Sequence, residues 1–120
     1  MITYKVAQTY DGKFSSCTAW CRAYRLDYRV GKATTARLDT LGIFTFADYD
    51  RAARWRRNGE AILRVETIGY TFEPSYVCIT CSESILDTWY HEKVSSGFTM
   101  VAPPQTIISP AIRVLGKVDL

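Results

Sequence analysis

The pattern of apolar and polar positions divides the chain into short alternating runs and one amphipathic stretch. Ile2-Thr3-Tyr4-Lys5-Val6 alternates, which puts Ile2, Tyr4 and Val6 on one side of an extended backbone and predicts a first strand. Asp11-Gly12 is a two-residue hairpin signal. It leads into Phe14–Trp20, where Phe14, Ser16, Thr18 and Trp20 share a face. From Tyr24 onward Tyr24, Leu26, Tyr28 and Val30 alternate with Arg25, Asp27 and Arg29, until Gly31-Lys32 ends the run. Three antiparallel strands, or two long ones with a bend, are therefore predicted over residues 2–30. Ala33–Gly42 has no clear period and reads as a loop, followed by the short apolar segment Ile43-Phe44.

A different period begins at Thr45. Thr45-Phe46-Ala47-Asp48 has the form of a capping box, with Asp in place of the preferred Glu. Asp48 and Asp50 sit near the start, Arg54, Arg56 and Arg57 near the end, and Asn58-Gly59 supplies a stop, so charge follows the helix dipole at both ends. These signals predict a helix over 46–57, burying Phe46, Tyr49, Ala52, Ala53 and the stem of Arg56. In Ala61–Ile68, Ile62, Arg64, Glu66 and Ile68 alternate with Ala61, Leu63, Val65 and Thr67, which predicts a strand. Ser75–Thr80 is a further β-rich run. Ile85, Leu86 and Trp89 fall at helical spacing and predict a second helix over 82–94, broken by Ser95-Ser96-Gly97. Phe98–Val101, Thr106–Ile108 and Ile112–Val118 read as later strands, with turns at Pro103-Pro104 and Pro110. The expected fold class is α+β: a mostly antiparallel β-sheet with two helices packed on it.

Length and composition narrow the class of protein. A chain of 120 residues is expected to form a single domain, 1–120, burying roughly two thirds of its unfolded surface. With 48% hydrophobic, 22% charged and 13% aromatic residues, it is neither a disordered tail, a collagen-like chain nor a coiled coil. No apolar run approaches the length of a membrane span, and MITYKVAQTYDGK has no signal-peptide pattern, so a cytoplasmic protein without membrane contact is expected. The net charge of +3 is unevenly spread: residues 1–66 hold 12 Lys and Arg against 7 Asp and Glu, and residues 67–120 hold 3 against 5. A basic first half suits an acidic partner or nucleic acid, although a solvated surface of mixed charge also accounts for it.

Four cysteines, Cys17, Cys21, Cys78 and Cys81, stand as C-x3-C and C-x2-C. Two such pairs are candidates for a zinc site. On a strand, however, Cys17 and Cys21 would lie about 13 Å apart, and neither spacer contains a turn-forming residue. Buried thiols are the ordinary alternative, since Cys is among the most buried residue types. A disulfide, or a redox C-x-x-C opening the helix over 82–94, remain further options. His91 is the single histidine. A thiol enzyme would draw on Cys78, Cys81, His91 or Glu83, but a nucleophile needs a base and an orienting third group. No cofactor is expected, because G-x-S-x-G, H-E-x-x-H and the glycine-rich phosphate loops do not occur.

Arginine is the remaining signal, with 10 Arg to 5 Lys. Arg51, Arg54 and Arg57 step by three along the predicted helix, Arg56 flanks them, and Arg25 and Arg29 share one strand face. Trp55, Tyr49, Tyr24 and Tyr28 are close in sequence. Arg interleaved with aromatics is the composition of nucleotide and nucleic-acid sites, and also of protein interfaces. The bland account is that late-helix arginines answer the dipole and the aromatics are core. The candidate partner-binding residues are Arg51, Arg54, Trp55, Arg57, Arg25 and Arg29. Arg51, Arg54 and Trp55 are expected to point outward from the helix.

Several segments carry a resemblance: Tyr28-Arg29-Val30-Gly31-Lys32, Leu41-Gly42-Ile43-Phe44-Thr45-Phe46, Ala52-Ala53-Arg54-Trp55, and Ile62 through Gly69. Their Tyr-x-x-Gly, Gly-x-x-x-Phe and Ala-pair patterning resembles small phage and viral accessory domains of unknown function. Pro103 through Ile108 and Ile112 through Leu115 are similar in style to the C-termini of such domains. The spacing of Phe46 and Ala53 before a strand more distantly resembles ADP-ribosyltransferase-like domains, without their acidic catalytic motif. The first resemblance implies a non-enzymatic, phage-encoded interaction protein that binds a host macromolecule, such as a component of host defence. The alternatives are a nucleotide or nucleic-acid binder using the Arg and aromatic face, and a small ADP-ribosyltransferase-like or thiol enzyme.

Overall fold

Strand-forming alternation and one capped helical turn organise the chain around a long central pair of strands. The computed structural model describes residues 1–16, 25–36, 42–78 and 99–118. In chain order the elements are β1 (Ile2–Tyr10), β2 (Lys13–Ser16), β3 (Asp27–Tyr28), β4 (Ala33–Thr35), β5 (Ile43–Phe46), α1 (Tyr49–Trp55), β6 (Glu60–Ile68), β7 (Tyr76–Cys78), β8 (Thr99–Val101), β9 (Thr106–Ser109) and β10 (Ala111–Lys117). Eight strands form one sheet in the order β3-β2-β1-β6-β10-β4. β5 joins β1 through the Tyr4–Phe46 pair and β9 along its length, while β7 and β8 form a separate two-stranded ladder. All the named strand pairs are antiparallel. The described residues thus show a mostly antiparallel open sheet with a single short helix, broadly α+β. None of their helices is long and apolar enough to cross a membrane.

The register of the central strands sets two packed sides. Val6 lies opposite Ile62, Lys5 opposite Leu63, and Val114 opposite Val65. On one side Ala7, Leu63, Val65, Ile112 and Val114 cluster with Tyr28 and Ile43. Among the described residues this side holds the larger buried cluster. On the other, Val6 and Ile62 pack with Phe46 and Ala52, flanked by Tyr4, Tyr49, Trp55 and Val118. This is the helix face. β6 therefore departs from simple alternation: Ala61, Ile62, Leu63 and Val65 are all buried, because α1 covers Ile62 from above, while Arg64 and Glu66 beyond the helix are exposed.

Edges are closed by local turns. Asp11 and Gly12 take φ of 52° and 74°, the double positive φ of the hairpin turn that Asp-Gly signals, and Tyr10 pairs Lys13 across it. At the far end, Thr34 Oγ1 donates to Asp27 O at 2.9 Å and Gly31 N–H to Val114 O at 2.7 Å, so the outer strands β3 and β4 are drawn together. The segment 33–42, expected to be a loop, contains β4: Ala33–Thr35 pairs Arg113–Ala111 of β10. Three consecutive residues suffice to extend a ladder, too few to show a period. In the first half, β2 and β3 lie within the expected runs and cover four and two of the described residues. Residues 17–24 and the expected helix over 82–94 lie outside the described residues.

The helix is shorter than predicted at both ends, Tyr49–Trp55 rather than 46–57. Phe46 pairs both Tyr4 and Thr106, and Thr45 Oγ1 donates to Ile107 O at 3.4 Å, so both residues belong to the sheet. The N-cap is instead Asp48, extended at φ −120°, ψ 133°, whose Oδ1 accepts from Asp50 N–H at 3.3 Å. At the other end Arg56 turns to ψ 133° while its N–H still bonds Ala52 O. The chain then reverses through Asn58-Gly59, with Gly59 at φ 85° and Glu60 N–H bonding Arg57 O at 3.0 Å.

Candidate binding site

α1 is bolted to the sheet by aromatic side chains spaced along it. Tyr49 meets Tyr4 edge-on, with ring centroids 5.7 Å apart, and Trp55 lies 6.1 Å from Phe46 at 52°. Ala52, with no accessible surface, brings the helix backbone close to the sheet between these contacts. Ala53, expected in the buried stripe, is exposed: the residues of α1 that pack on the sheet are Tyr49, Ala52 and Trp55, spaced by three.

The candidate residues on α1 therefore separate into two sets. Arg54 is exposed and Arg51 half-buried, one turn apart on the flank away from the sheet, and among the described residues neither forms an ion pair. Arg56 and Arg57 instead hold the turn after the helix. Arg56 Nε donates to Glu60 O at 2.6 Å; Arg57 donates through its N–H to Glu60 Oε1 at 2.8 Å and pairs through Nη2 with Oε2 at 3.2 Å. Trp55 is half-buried against Phe46, so it does not stand free as an outward anchor.

Arg25 arrives on the same side of the sheet from a different element. β1 residues of even number face the helix side, and Gln8 lies opposite both Ser15 and Glu60. Ser15 in turn lies opposite Asp27. Where α1 ends, this row forms a groove of ≈ 440 Å³ bordered by Gln8, Tyr10, Lys13, Ser15, Arg25 and Asp27. Thr9 Oγ1 donates to Gly59 O at 2.8 Å, tying the groove's hairpin to the turn beyond the helix. Arg29 is exposed next to β3 but does not line the groove.

Tyr10 and Lys13 were missed by sequence reasoning. The signal was present: a tyrosine directly before an Asp-Gly turn has no strand beyond it to bury its ring, and Tyr10 is 82% exposed. Of the cysteines, Cys17, Cys21 and Cys81 lie outside the described residues, as do His91 and Glu83. Cys78 ends β7, and no group of three or more metal-ligating side chains occurs among the described residues. Comparison with models of protein families, with curated proteins and with solved structures finds no match to this chain.

Proposed function

We propose that this chain is a non-enzymatic interaction protein that docks an acidic surface of a host macromolecule, most simply a host protein in the cytoplasm, on the outward flank of α1. The observation that carries the reading is the division of the helix arginines. Arg56 and Arg57 are committed to Glu60, whereas Arg51 and Arg54 project from a helix held rigidly by Tyr49, Ala52 and Trp55. A fixed helix carrying guanidinium groups that have no ion-pair partner among the described residues loses little ordering entropy on binding and meets carboxylates with fork geometry. Patterning that resembles phage accessory domains supports a host partner.

A protein surface suits this face better than a nucleic acid. Asp48 and Asp50 stand at the start of the same helix. A polyanion prefers an unbroken row of cations and would be repelled by these carboxylates. A protein interface reads mixed charge as complementarity. Affinity capture from bacterial lysate with the wild-type chain and with Arg51→Ala/Arg54→Ala tests the reading. The expected result is a protein recovered by the wild type and lost with the variant. Recovery of only nucleic acid, falling steeply with salt, would favour the alternative binder, and turnover of a small substrate would refute a non-enzymatic role.

A further inference from the structure

The groove beside α1 carries its own chemistry. Gln8 Nε2 donates to Ser15 Oγ at 3.0 Å, which leaves the Gln8 carbonyl oxygen as an acceptor and the Ser15 hydroxyl hydrogen as a donor. Among the described residues Lys13 and Asp27 form no ion pair and no side-chain hydrogen bond, whereas Arg25 already has an interaction partner. Tyr10 borders the same space with most of its ring exposed. The Lys13 ammonium, the Asp27 carboxylate, the Gln8 amide, the Ser15 hydroxyl and the Tyr10 ring thus border ≈ 440 Å³, together with the already partnered Arg25 guanidinium.

This set discriminates among ligands. A polyanion would meet the Asp27 carboxylate. An extended peptide adds to a sheet edge, but the groove lies on the sheet's face, and Thr34 Oγ1 already donates to the backbone carbonyl of Asp27. A purely apolar ligand would strip water from Lys13 and Asp27 with no return. A neutral polyhydroxylated ring fits: each hydroxyl both donates and accepts, and the C–H face of a pyranose packs on an aromatic ring while its rim stays polar. The volume sits toward the low end of small-molecule sites, which run from roughly 300 to 1,000 Å³. We propose that the groove binds a neutral saccharide of one or two rings. Tyr10 stacks against the ring, Asp27 and Gln8 accept from its hydroxyls, and Lys13 and Ser15 donate to them.

Titration of the isotope-labelled full chain with glucose, N-acetylglucosamine, maltose, cellobiose and chitobiose, followed by amide shifts, tests this. Saturable shifts confined to β1, β2 and β3 are expected with at least one of these sugars, insensitive to salt. Asp27→Asn and Tyr10→Ala should each weaken binding about tenfold, while Tyr10→Phe, which keeps the ring, should bind within about threefold of wild type. Both sites are exposed, and matched melting curves would establish that the three variants fold. Arg51→Ala/Arg54→Ala should leave the titration unchanged, which separates this site from the helix flank. Absence of shifts with every sugar, shifts elsewhere, indifference to Asp27→Asn, or binding of only a heparin disaccharide in a salt-sensitive manner would each overturn the proposal.

Discussion

Trp55 shows how one side chain decides between an interface and a core. An exposed Trp beside arginines has the composition of a binding hot spot, but here the ring rests on Phe46 within the cluster that includes Val6, Ala52 and Ile62. Trp55→Ala should therefore cost about 2 kcal/mol, less than full burial would give, read as a lower denaturation midpoint at unchanged slope. A loss below about 0.5 kcal/mol is what a surface position gives and would return Trp55 to the interface. Gly42 is a second such position. At φ 135° a Cβ there would stand 2.5 Å from the backbone oxygen of Ser109 and 2.8 Å from Ile108 Cγ2. Neither a backbone carbonyl within the β5–β9 ladder nor a fully buried isoleucine can yield cheaply. Gly42→Ala is expected to destabilise by about 2 kcal/mol or more, whereas Gly12→Ala, with open space around it, should cost only its positive φ, about 1 kcal/mol.

At the scale of elements, α1 has seven residues, well below what holds a helix in isolation, so its stability comes from the cap and the sheet beneath. Asp48→Ala removes the carboxylate that accepts from Asp50 N–H, and a loss of about 1 kcal/mol is expected in thermal melts. No change on that substitution would mean that packing alone sets the helix start. The same element shows what was legible in the sequence. The Asp-Gly hairpin, β6 and the existence of α1 follow from local signals, because a turn, an alternation and a charge gradient each act within a few residues. The helix start was misplaced because Thr45 and Phe46 have partners over 50 residues away in β9, which local patterning does not contain. β4 was missed for the same reason: Ala33-Thr34-Thr35 is a strand only because β10 offers it an edge. Of the candidate site, the arginines were visible as residue types. Which of them are engaged by Glu60 was not, because that depends on Glu60 sitting across the turn from Arg56 and Arg57.

For the molecule as a whole, the consequence of this topology among the described residues is a sheet with a buried cluster on each side, one of them partly covered by a short helix. β1 and β6 supply both sides, with Ala7, Leu63 and Val65 inward and Val6 and Ile62 beneath α1. The helix flank and the groove thus share a rigid base, joined by the bond from Thr9 to Gly59 O. Electrostatic docking on such a base predicts an association rate that falls with ionic strength, since the Arg51 and Arg54 charges steer an acidic partner over about 10 Å at 0.1 M salt. The most direct measurement is quantitative affinity capture at two salt concentrations with wild type, Arg51→Ala/Arg54→Ala and Arg57→Ala, after matching their melting temperatures. Loss of about tenfold or more of one captured host protein with the double variant, and a far smaller loss with Arg57→Ala, is the predicted result. Equal recovery by wild type and double variant would contradict the assignment of the α1 flank as the docking surface.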